Sequence, residues 1–220
     1  DAAWALRLAF GRGRRETHPS PATRSGAAPA PRPAVLVAQG HDSAVLAQAV
    51  GAQPIFMRQV HGVDVAELPG AGDAGDTAIV ADACVTTATG VACTVMVADC
   101  LPVLLANTVG TVVAAAHAGW RGLAGEAGQG VLESVYQRFS ALAHAGCAQN
   151  AINTVAWLGP CIGPDAFEVG DEVKAAFVQT DPDAAALFRA SAPGKWWANL
   201  SGLARRRLLA NTTLAGALMV

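Results

Sequence analysis

The stretch from Val91 to Ala106 is the longest apolar run of the chain, and it constrains the fold more than any other feature. Asp99 and Pro102 interrupt it, so it falls short of the about 20 apolar residues that a membrane-spanning helix needs. Its Val- and Leu-rich composition, bounded by Gly90 and Asn107, reads as one long or two short strands. Pro102 has no N–H to give to a ladder and is expected to break the strand or to sit at a sheet edge. Similar apolar segments follow the same logic: Ala34 to Gln39, Pro54 to Ala66, Ala78 to Thr86, Thr111 to His117 and Ile152 to Leu158 are expected strands. Helices are expected over Asp42 to Val50, Gly170 to Val178, Asn199 to Ala210 and Leu123 to His144, the last with Leu132, Val135, Phe139 and Leu142 on one face and Gly146 as its stop. Strands dominate the middle and helices the end, which makes an α+β single domain.

Composition narrows the function classes. With 52% hydrophobic and 15% charged residues, the chain of 220 residues is not intrinsically disordered. A net charge of -2 supplies no basic field for nucleic acid and no polybasic anchor for a membrane. Aromatic residues are 5% with one tyrosine, too few for a stacking platform. Cys84, Cys93, Cys100, Cys147 and Cys161 are odd in number, which suits a reducing compartment rather than a disulfide framework. No secretory cleavage pattern follows the apolar first ten residues, so a cytoplasmic setting is expected. Residues 11–33 are rich in Arg, Pro, Ser and Ala without a period, so 1–33 is expected to be a partly mobile segment ahead of a domain spanning 34–220.

Three short stretches place polar residues where a core would not want them. They are Arg58-Gln59-Val60-His61-Gly62, Ala98-Asp99-Cys100-Leu101-Pro102 and the small-residue segment around His117 that runs into Gly119-Trp120-Arg121-Gly122. All three are expected at strand ends, on a sheet rim. His61, Cys100 and His117 together make a catalytic-type zinc set, three protein ligands with an open fourth position. A thiolate and two imidazoles equally suit a blue-copper site with a weak axial ligand. Without any metal, Cys100 as nucleophile and His117 as base would make a thiol hydrolase dyad. Each of these residues taken singly is more often core packing, and their spacing is not that of a zinc finger or ribbon.

The segments RQVHG, ADACVTT, VMVADCLPVLLAN, AAAHAGWRG and LGPCIGPDAFEVGDEV, in this order, resemble the laccase-domain family. That family is known as multicopper polyphenol oxidase-like and as purine nucleoside phosphorylases. The resemblance runs from about Gln53 to Val178. It implies a four-layer α/β/β/α arrangement of mixed sheets, similar to that of a bacterial toxin cysteine hydrolase. It also implies a zinc site on His61, Cys100 and His117. The activity it implies is zinc-dependent cleavage of purine nucleosides by phosphate, with adenosine deaminase activity beside it. A copper polyphenol oxidase and a weakly active metal-binding scaffold are the alternatives. The family's Thr-Arg-Xaa-Gly-Gly-Val-Ser and terminal Tyr-Arg-Arg-Asp stretches are not found in this sequence, and the expectation is an intact metal site with weakened turnover.

Other residues are candidates for holding substrate. Arg58 and Arg121 suit phosphate, whose oxygens a guanidinium matches bidentately. Gln59 suits the base or sugar, and Cys161 in its Gly/Pro turn suits the pocket wall. Trp120 is either a purine stacker or a lid over the core. Asp99 is expected to point away from the metal face. Cys84 and Cys93 are expected in the core.

Overall fold

The computed structural model describes residues 34–38, 43–70, 78–145, 154–210 and 218–219. The expectations for 1–33, Gly146 and Cys147 lie outside the described residues. Among the described residues, twelve strands form three sheets. The six-stranded sheet runs β12-β8-β6-β7-β4-β3, from Leu218–Met219, Thr154–Leu158, Leu101–Asn107, Val113–Ala118, Ala83–Thr86 and Val65–Glu67. It is mixed: β6, β7 and β8 pair antiparallel, while β3 joins β4 in parallel. A parallel sheet of β1 (Ala34–Ala38), β5 (Val91–Met96) and β2 (Gln53–Ile55) stacks on it.

Side-chain alternation shows how the layers hold together. Leu101, Val103 and Leu105 of β6 face one core with Ala114, Ala116 and Ala118 of β7. Leu104, Ala106, Val113 and Ala115 face the other, against Val91, Cys93 and Val95 of β5. This is the period of two that a sheet covered on both faces requires. Helix α1 (Ser43–Val50) covers the small sheet through Leu46 and Val50. Helices α3 (Val131–Ala145) and α5 (Leu200–Ala210) cover the large one through Leu132, Val135, Phe139, Leu203 and Leu208. The order is therefore helix, sheet, sheet, helices, and the single-domain mixed α/β architecture expected from the sequence is present. Cys84 and Cys93 are fully buried between the sheets. Among the described residues no helix is long and apolar enough to cross a membrane.

Several expected elements differ. Pro54 to Ala66 is not one strand: β2 and β3 are its two ends, and the RQVHG stretch between them is a loop. Only Ala83–Thr86 of the segment from Ala78 is strand. The apolar run breaks at 97–100 rather than at Pro102, which sits second in β6, a central strand. Near a strand start its missing N–H costs the ladder little. The long helix begins earlier and is two, α2 (Trp120–Ala124) and α3, separated by a turn in which Gly125 and Gly128 take positive φ. Arg207 of α5 ties that turn down, donating to the Ala124 carbonyl at 2.8 Å and to Glu133 at 3.4 Å. The antiparallel sheet β10-β11-β9 (Phe188–Ala192, Lys195–Ala198, Glu168–Gly170) was not expected. β9 leads directly into α4 (Asp171–Val178), and β10 and β11 follow α4 and a 3-10 turn at Pro182–Leu187.

Candidate metal centre

Strand register sets two of the three donors. In the β6–β7 ladder Pro102 lies opposite His117 and Leu101 opposite Ala118. His117 shares its parity with Val113 and Ala115, so it emerges on the inter-sheet face, 4% exposed. Cys100 immediately precedes β6 and carries the parity of Leu104 and Ala106, so it reaches the same rim half-buried. It therefore stands at a strand's start and not at its end.

His61 comes from the loop, and a buried carboxylate brings it in. Asp82 is fully buried. Its Oδ1 accepts the His61 backbone N–H at 2.9 Å and the His117 Nδ1–H at 2.8 Å. Its Oδ2 accepts the backbone N–H of Val60 at 3.0 Å and of Gly62 at 2.7 Å. Three successive amides can converge on one group because His61 takes φ 61°. That left-handed conformation costs about 1–2 kcal/mol for a non-glycine residue, and charge-assisted hydrogen bonds offset it. Because Nδ1 of His117 donates to a carboxylate, the lone pair of Nε2 is left for the site.

The three donor atoms lie within 4.8 Å of one another. Cys100 Sγ is 3.9 Å from His61 Nε2, and the two imidazoles meet edge to face with centroids 4.8 Å apart. Zinc bonds of about 2.0–2.3 Å set neighbouring donors roughly 3.5 Å apart, so this set fits such an ion with little adjustment. Glycine is required beside it. A Cβ on Gly119 would stand 2.9 Å from His61 Cδ2 and 3.0 Å from Cys100 Sγ. A Cβ on Gly122 would stand 2.6 Å from the Gly62 carbonyl oxygen. The two glycines of the HAGWRG stretch thus leave room for the loop that carries His61.

Electrostatics agrees with a ligand set. Burial works against ionisation of Asp82, but the hydrogen bonds from His117 and the three amides prevail and hold its carboxyl below the ordinary value. Burial pushes the His117 imidazole down; Asp82 pulls the other way, and His61 adds to the lowering. A lowered imidazole is neutral at pH 7 and can ligate. Burial, then Asp99 and Asp82, push the Cys100 thiol up. A nucleophile and a metal ligand both act as the thiolate, which these surroundings disfavour in the metal-free chain.

The structure places the other candidates as follows. Gln59 donates to the Met96 carbonyl and accepts the Met96 N–H, both at 2.8 Å, tying the loop to the end of β5. Arg58 is exposed, and its backbone N–H bonds the Ile79 carbonyl. Arg121 is exposed with its guanidinium 4.5 Å from the centroid of the half-buried Trp120 ring, which packs on the core. Asp99 is exposed in the turn before Cys100. Cys161 is half-buried, in the turn that runs alongside Cys100. Asp82 is the residue that sequence reasoning passed over. Its signal was an acidic residue at the head of the apolar ADACVTT strand, where a buried charge demands partners.

A family model described as multi-copper polyphenol oxidoreductase laccase matches residues 36–216. The chain belongs to this family. The purine nucleoside phosphorylase YfiH of Escherichia coli is 47% identical over 156 residues, 71% of this chain and 58% of its own length. The Pseudomonas aeruginosa purine nucleoside phosphorylase PA4543 is 43% identical over 171 residues, 77% of this chain and 64% of its own. The crystal structure of the Neisseria meningitidis protein NMB0706 superimposes with a TM-score of 0.64 at 39% identity, covering 80% of this chain and 66% of that one. The chain thus spans about three fifths of the length of these two curated relatives. The comparisons show the family, and the geometry brings His61, Cys100 and His117 together.

Proposed function

We propose that this laccase-family domain, over residues 34–220, is a zinc-dependent purine nucleoside phosphorylase of the cytoplasm. The observation that carries the reading is the converged His61, Cys100 and His117 donors locked by buried Asp82. The names of the relatives support the choice of substrate. When bound, zinc supplies a Lewis acid beside the substrate. The chain's own residues do the rest. Asp82 fixes the His117 tautomer and the His61 loop. Arg58 and Arg121 offer guanidinium groups to an anion from the exposed rim. Phosphorolysis needs a phosphate oxygen aimed at the sugar's anomeric carbon while the bond to the purine nitrogen breaks.

Deamination of adenosine at the same centre is the companion activity. A relative named adenosine deaminase RL5, 40% identical over 98 residues, supports it. Copper oxidase chemistry on several ions has less support. The chain has five histidines, and among the described residues the His61-Cys100-His117 group is the one cluster spaced to hold a metal. Four described cysteines are free, which suits the reducing cytoplasm. The test is inosine or adenosine cleavage by the zinc-loaded chain with and without phosphate. Release of free base only in the presence of phosphate is expected. Equal release in phosphate-free buffer means hydrolysis and overturns the phosphorylase reading.

A further inference from the structure

Helix α5 carries three consecutive arginines, and they are not equivalent. Arg206 is spent on Asp181 and Asp183. Arg207 is spent on Glu133 and the carbonyls of the α2–α3 turn. Arg205 has no ion pair or hydrogen bond among the described residues, and it lines a cleft of about 510 Å³. Ligand clefts span about 300–1,000 Å³, so the volume is that of a small-molecule site.

The turn Pro160, Cys161 and Ile162 also lines the cleft. That turn is fastened on both sides of Cys100: the Gly159 N–H bonds the Pro102 carbonyl and the Ile162 N–H bonds the Asp99 carbonyl, each at 2.9 Å. The polar lining is one-sided in its chemistry. Asn199 spends its Oδ1 on Ser201 and on the Gly202 amide, which leaves its Nδ2 hydrogens without an acceptor among the described residues. With Arg205 it presents donors, and among the described residues no carboxylate lines the cleft. The Gly202 amide is already capped, so the positive charge here is that of the guanidinium, not of the helix end. Arg58 and Arg121 do not line this cleft, and Arg121 lies on Trp120.

We infer that Arg205 and Asn199 form a phosphate-binding subsite in the cleft that Cys161 also lines. The inference rests on the phosphorylase reading only for its choice of anion. Donor fork, open volume and the absence of a competing carboxylate all suit the tetrahedral oxygens of a phosphate group. Inorganic phosphate and the phosphate ester of a nucleotide share that chemistry.

The test is direct binding to the zinc-loaded full chain, by calorimetric titration with inorganic phosphate and separately with a nucleoside 5′-monophosphate. Arg205→Gln is expected to weaken phosphate about ten- to a hundredfold, the range of a lost charge-assisted contact. Arg205→Lys, which keeps the charge but loses the fork, should weaken it less. Zinc content and melting temperature should stay at the wild-type values, and Arg138→Gln, far off on α3, should bind as wild type does. Loss of the nucleotide alone in Arg205→Gln assigns the site to an esterified phosphate. Equal affinity in wild type and Arg205→Gln for both ligands, or no binding by wild type at millimolar concentration, overturns the subsite. The two readings fail separately. Phosphate-dependent base release with unchanged affinity in Arg205→Gln removes the subsite and leaves the phosphorylase. Phosphate binding through Arg205 with phosphate-independent base release does the reverse.

Discussion

The two walls of the candidate metal centre are held by different physics. His117 stands on β7 and Cys100 directly ahead of its partner β6, where register and alternation fix the side-chain direction. His61 stands in an exposed loop with no ladder of its own, and its position depends on Asp82, reached from across the chain. The strand wall is redundant, since many pairings share the work. The loop wall hangs on one carboxylate and two glycines. Changes that reach the loop wall should therefore cost the metal more than changes of equal size elsewhere on the rim.

The largest effect is expected from Asp82→Asn. Each carboxylate oxygen takes two donors, and a carboxamide has one acceptor oxygen. Two of the four donors must then face an NH2 group. A buried donor left unpaired costs about 1–3 kcal/mol, and loss of such support costs about 10–100-fold in metal affinity. Denaturant unfolding and zinc titration should both register the change; a wild-type midpoint with wild-type affinity would show that the loop holds itself. Next comes Gly119→Ala. The added methyl meets His61 and Cys100 at 2.9 and 3.0 Å, an overpacking worth about 1–3 kcal/mol. Zinc should bind roughly tenfold more weakly while the fold persists. Gly163→Ala, with nothing within 4 Å of its added Cβ, serves as the control and should change neither.

pH acts on the strand wall. Burial first, then Asp99 and Asp82, raise the Cys100 thiol, so at pH 7 the metal-free chain keeps it protonated. Metal binding must then release that proton. Burial lowers His117, so its imidazole is already neutral above the ordinary value of about 6.5 and releases none there. Zinc affinity should accordingly rise about tenfold per pH unit between roughly 7 and 8, as read by chelator competition. A flat profile would mean that Cys100 does not ligate as a thiolate. The smallest effect is expected from Gln59→Ala, which removes two hydrogen bonds to Met96 at a partly exposed site. About 1 kcal/mol of stability should be lost with zinc retained. Loss of zinc as well would make Gln59 as necessary to the loop as Asp82.

What the sequence made legible follows the same division. The strand wall could be read because alternation is local: β6, β7 and their apolar parity were visible, and the residue types at Cys100 and His117 suggested the ligand set. The loop wall could not be read that way. Its RQVHG stretch lies within Pro54 to Ala66, whose apolar and β-branched residues let the whole pass for strand, and the carboxylate of Asp82, distant in sequence, turns its amides inward. Pro102 misled for a related reason. Its missing N–H rules out a central position only where the ladder needs that donor, and the second residue of β6 does not. The β9–β11 sheet escaped because Phe188–Ala192 is mostly exposed and its alternation carries little apolar signal. Arg205 gave no signal at all: three like residues in a row read as one solvated face, and only packing separates the free one from the two that are tied.

His61, Cys100 and His117 are proposed to form one metal centre. The most direct measurement is metal content of the purified chain and of His61→Ala, Cys100→Ala and His117→Ala, with Cys161→Ala beside them. About one zinc per chain is expected in the wild type, as a three-ligand site demands all its donors. It should be lost in each of the three and kept in Cys161→Ala. Full zinc occupancy in the Cys100→Ala protein would contradict the assignment.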